Sequence, residues 1–288
     1  MKTRPQRYLL AVLLGGVLIC GHASGGLNGD GYLDAVFAVF SDPNKVCLGD
    51  GAGGFVCSDI NAERRLTTGV GLGDVNSDGE LDVVFTNQDE MNQVCWGNGA
   101  GVLDCVDVST DTGASWDVGL GDINGDANLD AVFANRYQSN RVCLGDGTGG
   151  FSCSDVSAVS AQSFGVELGD LNADGNLDAV FANIDSYNSV CLGDGTGSFV
   201  CSIVNGNRNN SFGVALGDLN GDGTLDSVFA NQIHTDQVCL GDGDGGFICS
   251  DVSENTGTSL SVGLGDVRTN MSDQGGGAIF TAGHEDGQ

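Results

Sequence analysis

Four stretches of the chain repeat one spacing of oxygen-bearing side chains, Asp-x-Asn-x-Asp-Gly-x-x-Asp or a near copy of it. They comprise Asp74, Asn76, Asp78 and Asp82; Asp122, Asn124, Asp126 and Asp130; Asp170, Asn172, Asp174 and Asp178; and Asp218, Asn220, Asp222 and Asp226. A hard cation such as calcium takes six to eight oxygens at roughly 2.4 Å. In a tight loop, alternate residues at positions 1, 3 and 5 turn their side chains inward. A residue at position 7 offers its backbone carbonyl, and the acid at position 9 closes the shell. The position-7 residues are Glu80, Asn128, Asn176 and Thr224, a variety that suits a backbone ligand. Two carboxylates about 4 Å apart repel by about 4 kcal/mol at an effective dielectric of 20, so a cluster of three calls for a cation. Zinc does not suit loops without Cys or His, and magnesium keeps more of its waters. The second loop carries Ala127 where the others have Gly79, Gly175 and Gly223. If position 6 is left-handed, Ala127 costs about 1 kcal/mol and weakens that site.

Ten cysteines keep the same period as the acids. Cys47, Cys95, Cys143, Cys191 and Cys239 form one series, and Cys57, Cys105, Cys153, Cys201 and Cys249 the other. Each pair flanks a glycine-rich segment such as Gly49-Asp-Gly-Ala-Gly-Gly54, which reads as a hairpin turn centred on Ala52. Cross-strand neighbours are close enough to bridge, so five local disulfides are expected. Each stabilises by roughly 2–3 kcal/mol in the chain-entropy model. Disulfides persist in exported proteins. The N-terminus agrees: Lys2, Arg4 and Arg7 precede the apolar run Tyr8 to Ile19, and cleavage is expected after Ala23. A short membrane anchor and a lipoprotein attached through Cys20 are the alternatives.

The elements that must position these residues follow from the repeat. Asp74 recurs as Asp122, Asp170, Asp218 and Asp266, every 48 residues without insertion. One repeat reads as four strands: Phe212 to Gly217, Asp226 to Ala230, Gln237 to Leu240 and Phe247 to Val252. No window carries helical periodicity, and glycine interrupts every candidate. Four strands per repeat match a propeller blade. A β-solenoid is the structural rival. The net charge of −29 excludes a phosphate-backbone partner, because nucleic-acid binding needs clustered Lys and Arg.

Val214-Ala-Leu-Gly-Asp-Leu-Asn-Gly-Asp-Gly-Thr-Leu-Asp226, the following Ser227-Val-Phe-Ala-Asn231 and Leu240-Gly-Asp-Gly-Asp-Gly-Gly-Phe247 resemble the FG-GAP/VCBS repeat of integrin-α-like calcium-binding propellers. The resemblance covers about residues 26–267. It implies an all-β propeller with calcium in its blade loops. Family members commonly close with seven or eight blades and lack paired cysteines, whereas this chain holds five periods.

The organisation expected is a signal peptide over 1–23, a propeller over 24–267 and a glycine-rich tail over 268–288. The first repeat begins at its metal loop, where Asn28, Asp30 and Asp34 fill positions 3, 5 and 9 and Gly26 leaves position 1 empty. Ser261 to Gly265 reads as an inner strand followed by Asp266. The expectation is five four-stranded blades closed by pairing of the N- and C-terminal segments, with Asp266 completing a fifth, split calcium site. A decayed sixth blade, hinted at by Ala278 to Ala282, is the rival.

Metal loops and glycine hairpins should share one face of the disc. The loops after strands two and four share the other: Asn87 to Asn92, Asn135 to Gln138, Asn183 to Asn188 and Asn231 to Asp236, with Arg64, Arg65 and Arg208 in longer loops. Variable loops on a rigid scaffold are where binding sits. The reading is a secreted recognition or adhesion module for a glycan or an extracellular protein, located outside the cell, in the periplasm or at the cell surface. No membrane span remains after cleavage of the leader. A polysaccharide-degrading lyase on the same scaffold is the alternative. Catalysis has little support, and Glu167, the one charged residue in its series on the inner strands, is read as part of a channel water network.

Overall fold

The computed structural model describes residues 9–13, 16–20, 26–110, 112–158, 161–252 and 257–265. They form strands and turns, without a helix. The first sheet runs β1 (Leu9–Leu13), β2 (Gly16–Cys20), β3 (Ala35–Val39), β4 (Lys45–Gly49) and β5 (Phe55–Asp59). The second runs β6 (Thr67–Gly73), β7 (Asp82–Asn87), β8 (Gln93–Gly97) and β9 (Leu103–Asp107). The third is β10 (Ala114–Gly121), β11 (Asp130–Arg136), β12 (Arg141–Gly145) and β13 (Phe151–Asp155). The fourth is β14 (Gln162–Gly169), β15 (Asp178–Ile184), β16 (Ser189–Gly193) and β17 (Phe199–Ile203). The fifth is β18 (Asn210–Gly217), β19 (Asp226–Gln232), β20 (Gln237–Gly241) and β21 (Phe247–Asp251). All pairings are antiparallel between consecutive strands, as the sequence predicts for a propeller blade.

The second strand of each blade is apolar on both sides because both sides are covered. Val83 and Phe85 pack with Leu27, Val36 and Val46 of the preceding sheet, while Val84 packs with Val118, Ala131 and Phe133 of the following one. Four such cores separate the five sheets. Each buried Phe, Val or Leu contributes about 1.5–3 kcal/mol, so the blades stabilise one another rather than themselves.

The five sheets do not close into a ring. Val75, Ile123 and Leu171 are buried between blades, whereas their counterpart Leu219 on the last sheet is 42% exposed. Val252 is 56% exposed where Val108, Val156 and Val204 are buried. The expected seat of the closing strand, beside β3, is held by β2, with Cys20 opposite Ala35 and Gly16 opposite Val39. Ser261 lies instead against β18, where a Cβ on Gly213 would stand 3.1 Å from its Cα. Ser259 N–H donates to Asn231 O at 3.0 Å. Asp266, the tail after it and the cleavage point at Ala23 lie outside the described residues.

Candidate functional site

The five hairpins place the cysteines directly opposite one another, and all five disulfides are local: Cys47–Cys57, Cys95–Cys105, Cys143–Cys153, Cys191–Cys201 and Cys239–Cys249. Four of the turns are built on one aspartate and the second on Asn98. Asp50 Oδ1 accepts from the N–H groups of Ala52 and Gly54 at 2.8 Å each, which holds its carboxyl below the usual range, the Ala52 bond leading.

The acid-rich loops lie beside these hairpins, so the two share a face as expected. The link is the acid at position 9. Asp82 Oδ2 accepts from Val75 N–H at 2.9 Å and Oδ1 from Gly97 N–H at 2.8 Å, tying its own loop to the base of the hairpin. Asp130, Asp178 and Asp226 repeat both bonds, and Asp34 makes them to Leu27 and Gly49. Asp82, Asp130, Asp178 and Asp226 are fully buried. Burial pushes Asp82 up to about 6, against the opposing pull of those N–H groups, and it also raises Asp130 and Asp178. This pinning role is invisible in the spacing, which reads position 9 only as a closing ligand.

Positions 1, 3 and 5 are turned onto the loop's own backbone. Asp74 Oδ1 accepts from Asp78 N–H at 3.1 Å and Oδ2 from Gly79 N–H at 2.9 Å. Asn76 Nδ2 donates to Asp78 Oδ2 at 3.0 Å, and Glu80 N–H donates to Asp78 Oδ1 at 2.8 Å. The same pattern holds Asp122, Asn124 and Asp126, with Asn128 N–H as the last donor. It recurs at Asp170, Asn172, Asp174 and Asn176, and at Asp218, Asn220, Asp222 and Thr224. These bonds lower the carboxyls of Asp126 and Asp174, through Asn128 and Asn176 N–H first, and of Asp222, through the Thr224 hydroxyl first. Among the described residues, no three His, Cys, Asp or Glu side chains are gathered as a metal shell. In the first loop, Asn28 and Asp30 bond to each other, and a Cβ at Gly26 would meet Tyr32 O at 2.6 Å, so position 1 there admits only glycine in this conformation.

Position 6 is left-handed in every loop, with φ of 90° at Gly79, 87° at Gly175, 91° at Gly223 and 69° at Ala127, as the sequence predicts. Position 4 is left-handed as well, at Ser77 and Ala173. Glycine holds that position in the other loops, at Gly29, Gly125 and Gly221, so only Ser77 and Ala173 hide the second turn.

The opposite face holds a rigid frame beneath its variable loops. Asn92 Nδ2 donates to Ser115 Oγ at 2.8 Å, and Ser115 Oγ donates to Asn135 Oδ1 at 2.7 Å. The relay repeats as Asn140, Ser163 and Asn183, and as Asn188, Ser211 and Asn231. The Asn residues bounding the loops are therefore structural, and only the residues between them vary. Arg65, read from the sequence as an available anchor, is bound to Glu63, to Asp107 and to Met91 O. Arg64 pairs with Asp42. Glu167 is the one charged residue in its own series, but Asp117, two residues out of that series on β10, adds to the burial that pushes Glu167 up to about 8. Asp117 accepts from Val166 N–H at 3.0 Å and is itself raised by burial to about 7.

Three solved structures are similar to this chain. The V. cholerae biofilm matrix protein Bap1 is 17% identical, aligned over 85% of this chain with a TM-score of 0.47, and this chain spans 40% of its length. A provisional exo-beta-1,3-galactanase from Bifidobacterium bifidum s17 is 12% identical over 86% of this chain and 92% of its own, with a TM-score of 0.50. BBS1N, from its complex with ARL6DN, is 10% identical over 87% of this chain and 79% of its own, with a TM-score of 0.51. No curated protein sequence matches the chain. The model of the FG-GAP-like repeat matches residues 26–85, 74–133, 122–181 and 170–229, one copy beginning at each of the first four acid-rich loops, and the chain belongs to the FG-GAP-like repeat family.

Proposed function

We propose that this chain is a secreted, calcium-binding recognition module that takes a glycan or an extracellular protein on its variable-loop face. The observation that carries the reading is the contrast between the two faces. The acid-loop face repeats the same hydrogen bonds in blade after blade, as a structural element does. The other face keeps a rigid Asn and Ser frame while exposing different side chains from each loop, among them Tyr137 at 63% and Ile233 at 62%. Differences on a fixed scaffold are the arrangement of binding surfaces. Five disulfides suit an oxidising compartment.

Calcium fits the donor set of the acid loops. Each offers oxygen donors at positions 1, 3 and 5 and a carbonyl at position 7, without nitrogen or sulfur. Asp82 and its counterparts hold the loop base and keep a second lone pair on each oxygen. Removal of the leader frees the edge of β3 for Ser261 to Gly265, which closes the ring and brings Asp266 to the first loop. Closure removes both exposed sheet edges.

The test is a glycan array and an extracellular-protein array probed with the mature chain in calcium. A ligand whose binding is lost when residues 136–138 and 184–186 are exchanged for Gly-Ser-Gly is expected. Blank arrays, or binding indifferent to those exchanges, overturn the reading.

A further inference from the structure

Each inner strand carries one bulge at the same point of the repeat, between Thr67 and Gly69, Ser115 and Asp117, Ser163 and Gly165, and Ser211 and Gly213. A bulge takes one residue out of the ladder and re-aims its side chain. The residues so placed are Thr68, Trp116, Phe164 and Phe212, at the end of the inner strands that meets the variable loops. Three of the four are aromatic, and they touch across blade boundaries. The Trp116 and Phe164 rings lie 4.5 Å apart, and the Phe164 and Phe212 rings 4.9 Å apart. The fold does not require rings here. Thr68 fills the same position with a hydroxyl that donates to Ser115 O of the next blade at 2.7 Å.

Beside this shelf stands Arg136, its guanidinium 5.4 Å from the Phe164 ring centre and 4.4 Å from that of Tyr137. The chain has 39 Asp and Glu against 10 Lys and Arg, so carboxylate partners are plentiful. Lys45, Arg64, Arg65 and Arg141 each take one. Arg136 takes none among the described residues. Its Nε and the Trp116 Nε1 are buried without hydrogen-bond partners. Donors left unsatisfied cost free energy, which a ligand acceptor or its ordered water recovers. Tyr137 is held at a φ of 67° at the rim.

A row of tilted aromatic rings, with Phe164 buried in the middle and Trp116 and Phe212 half-buried on either side, an unneutralised guanidinium and two buried donors without partners within one cluster describe their own ligand. It has a flat apolar face to lie on the rings and an anionic oxygen pair for the guanidinium fork. We propose that Trp116, Phe212, Arg136 and Tyr137, held in place by the buried Phe164, bind a carboxylate-bearing sugar ring, its C–H face on the half-buried and exposed rings and its carboxylate on Arg136. The net charge of −29 repels an anion at long range, but screening over about 8 Å at physiological salt leaves the contact to the local cation. The assignment rests on the loop face being the recognition surface and names its ligand class.

The probe is trigalacturonate, with its methyl ester as the uncharged control and hexa-aspartate as the protein-like acid. Trp96→Phe leaves Trp116 as the one tryptophan, because the chain holds two. Trigalacturonate should change Trp116 emission saturably, and the methyl ester should not. Arg136→Gln should weaken binding at least tenfold at an unchanged melting temperature, with Arg136→Lys intermediate because it keeps charge without the fork. Saturation-transfer NMR on the unaltered chain repeats the binding test where Trp96→Phe impairs folding. No binding, equal binding of the ester, indifference to Arg136→Gln, or preference for hexa-aspartate overturns the proposal. If trigalacturonate fails while the arrays yield a ligand lost on loop exchange, the recognition reading stands and only this site falls. If both fail, both fall.

Discussion

Ser227 is the point where one blade departs from the others at a cost. It is the second residue of β19, fully buried, and its Oγ has no hydrogen-bond partner. The same position holds Ala35, Val83, Ala131 and Ala179 in the other sheets, all buried. A hydroxyl buried without a partner costs about 1–3 kcal/mol. Replacing Ser227 with Ala removes one oxygen and forfeits packing worth less than a methylene, about 0.8 kcal/mol. Ser227→Ala should therefore stabilise the chain by about 1 kcal/mol, a rise in melting temperature of about 2–4 °C at this size. The reverse change, Ala179→Ser, should lower it by a similar amount. Thermal unfolding followed by circular dichroism at pH 7 in calcium measures both. An unchanged or lower melting temperature for Ser227→Ala would mean that the hydroxyl is satisfied, by an ordered water or by a neighbour, and would refute the reasoning.

Ala127→Gly should stabilise by up to about 1 kcal/mol, because left-handed strain of about 1–2 kcal/mol is relieved against a smaller gain in unfolded-chain entropy. Gly175→Ala should do the opposite, and calorimetry that found no difference between the two variants would contradict the left-handed assignment. Glu167, raised by burial and then by Asp117 to about 8, binds its proton more tightly folded than unfolded. Its stability contribution is full below about 4.5, the ordinary glutamate value, and is lost as pH rises toward 8. Glu167→Gln should flatten that decline, read as melting temperature between pH 5 and pH 9. Calcium chelation with EGTA should lower the melting temperature of the mature chain, since an ion bound only to the folded state at 100 times its Kd adds about 2.7 kcal/mol per site. An identical curve in EGTA would remove calcium from the account.

The features legible in the sequence are those contained within one 48-residue repeat. The strand order, the disulfide pairing and the left-handed turn at position 6 follow from short-range pattern: apolar runs, glycine, and cysteines ten residues apart. Five copies in register made each of these visible several times over. What the tertiary structure decided lies between repeats. Within a repeat it also decided that Asp82 pins the hairpin, because the periodic Gly97 fifteen residues on reads as a turn glycine and not as a donor to the acid. The Asn and Ser relay crosses blade boundaries, so residues that look like loop variation are half frame. Asp117 reaches Val166 and stands against Glu167 only because β10 lies beside β14. Trp116, Phe164 and Phe212 sit 48 residues apart and read as ordinary strand residues until the bulges turn them toward one another. A single repeat encodes its own sheet through local hydrogen bonding and alternation. The faces it presents acquire meaning only from the neighbour packed against them, and that neighbour is chosen by the twist and stacking of whole sheets.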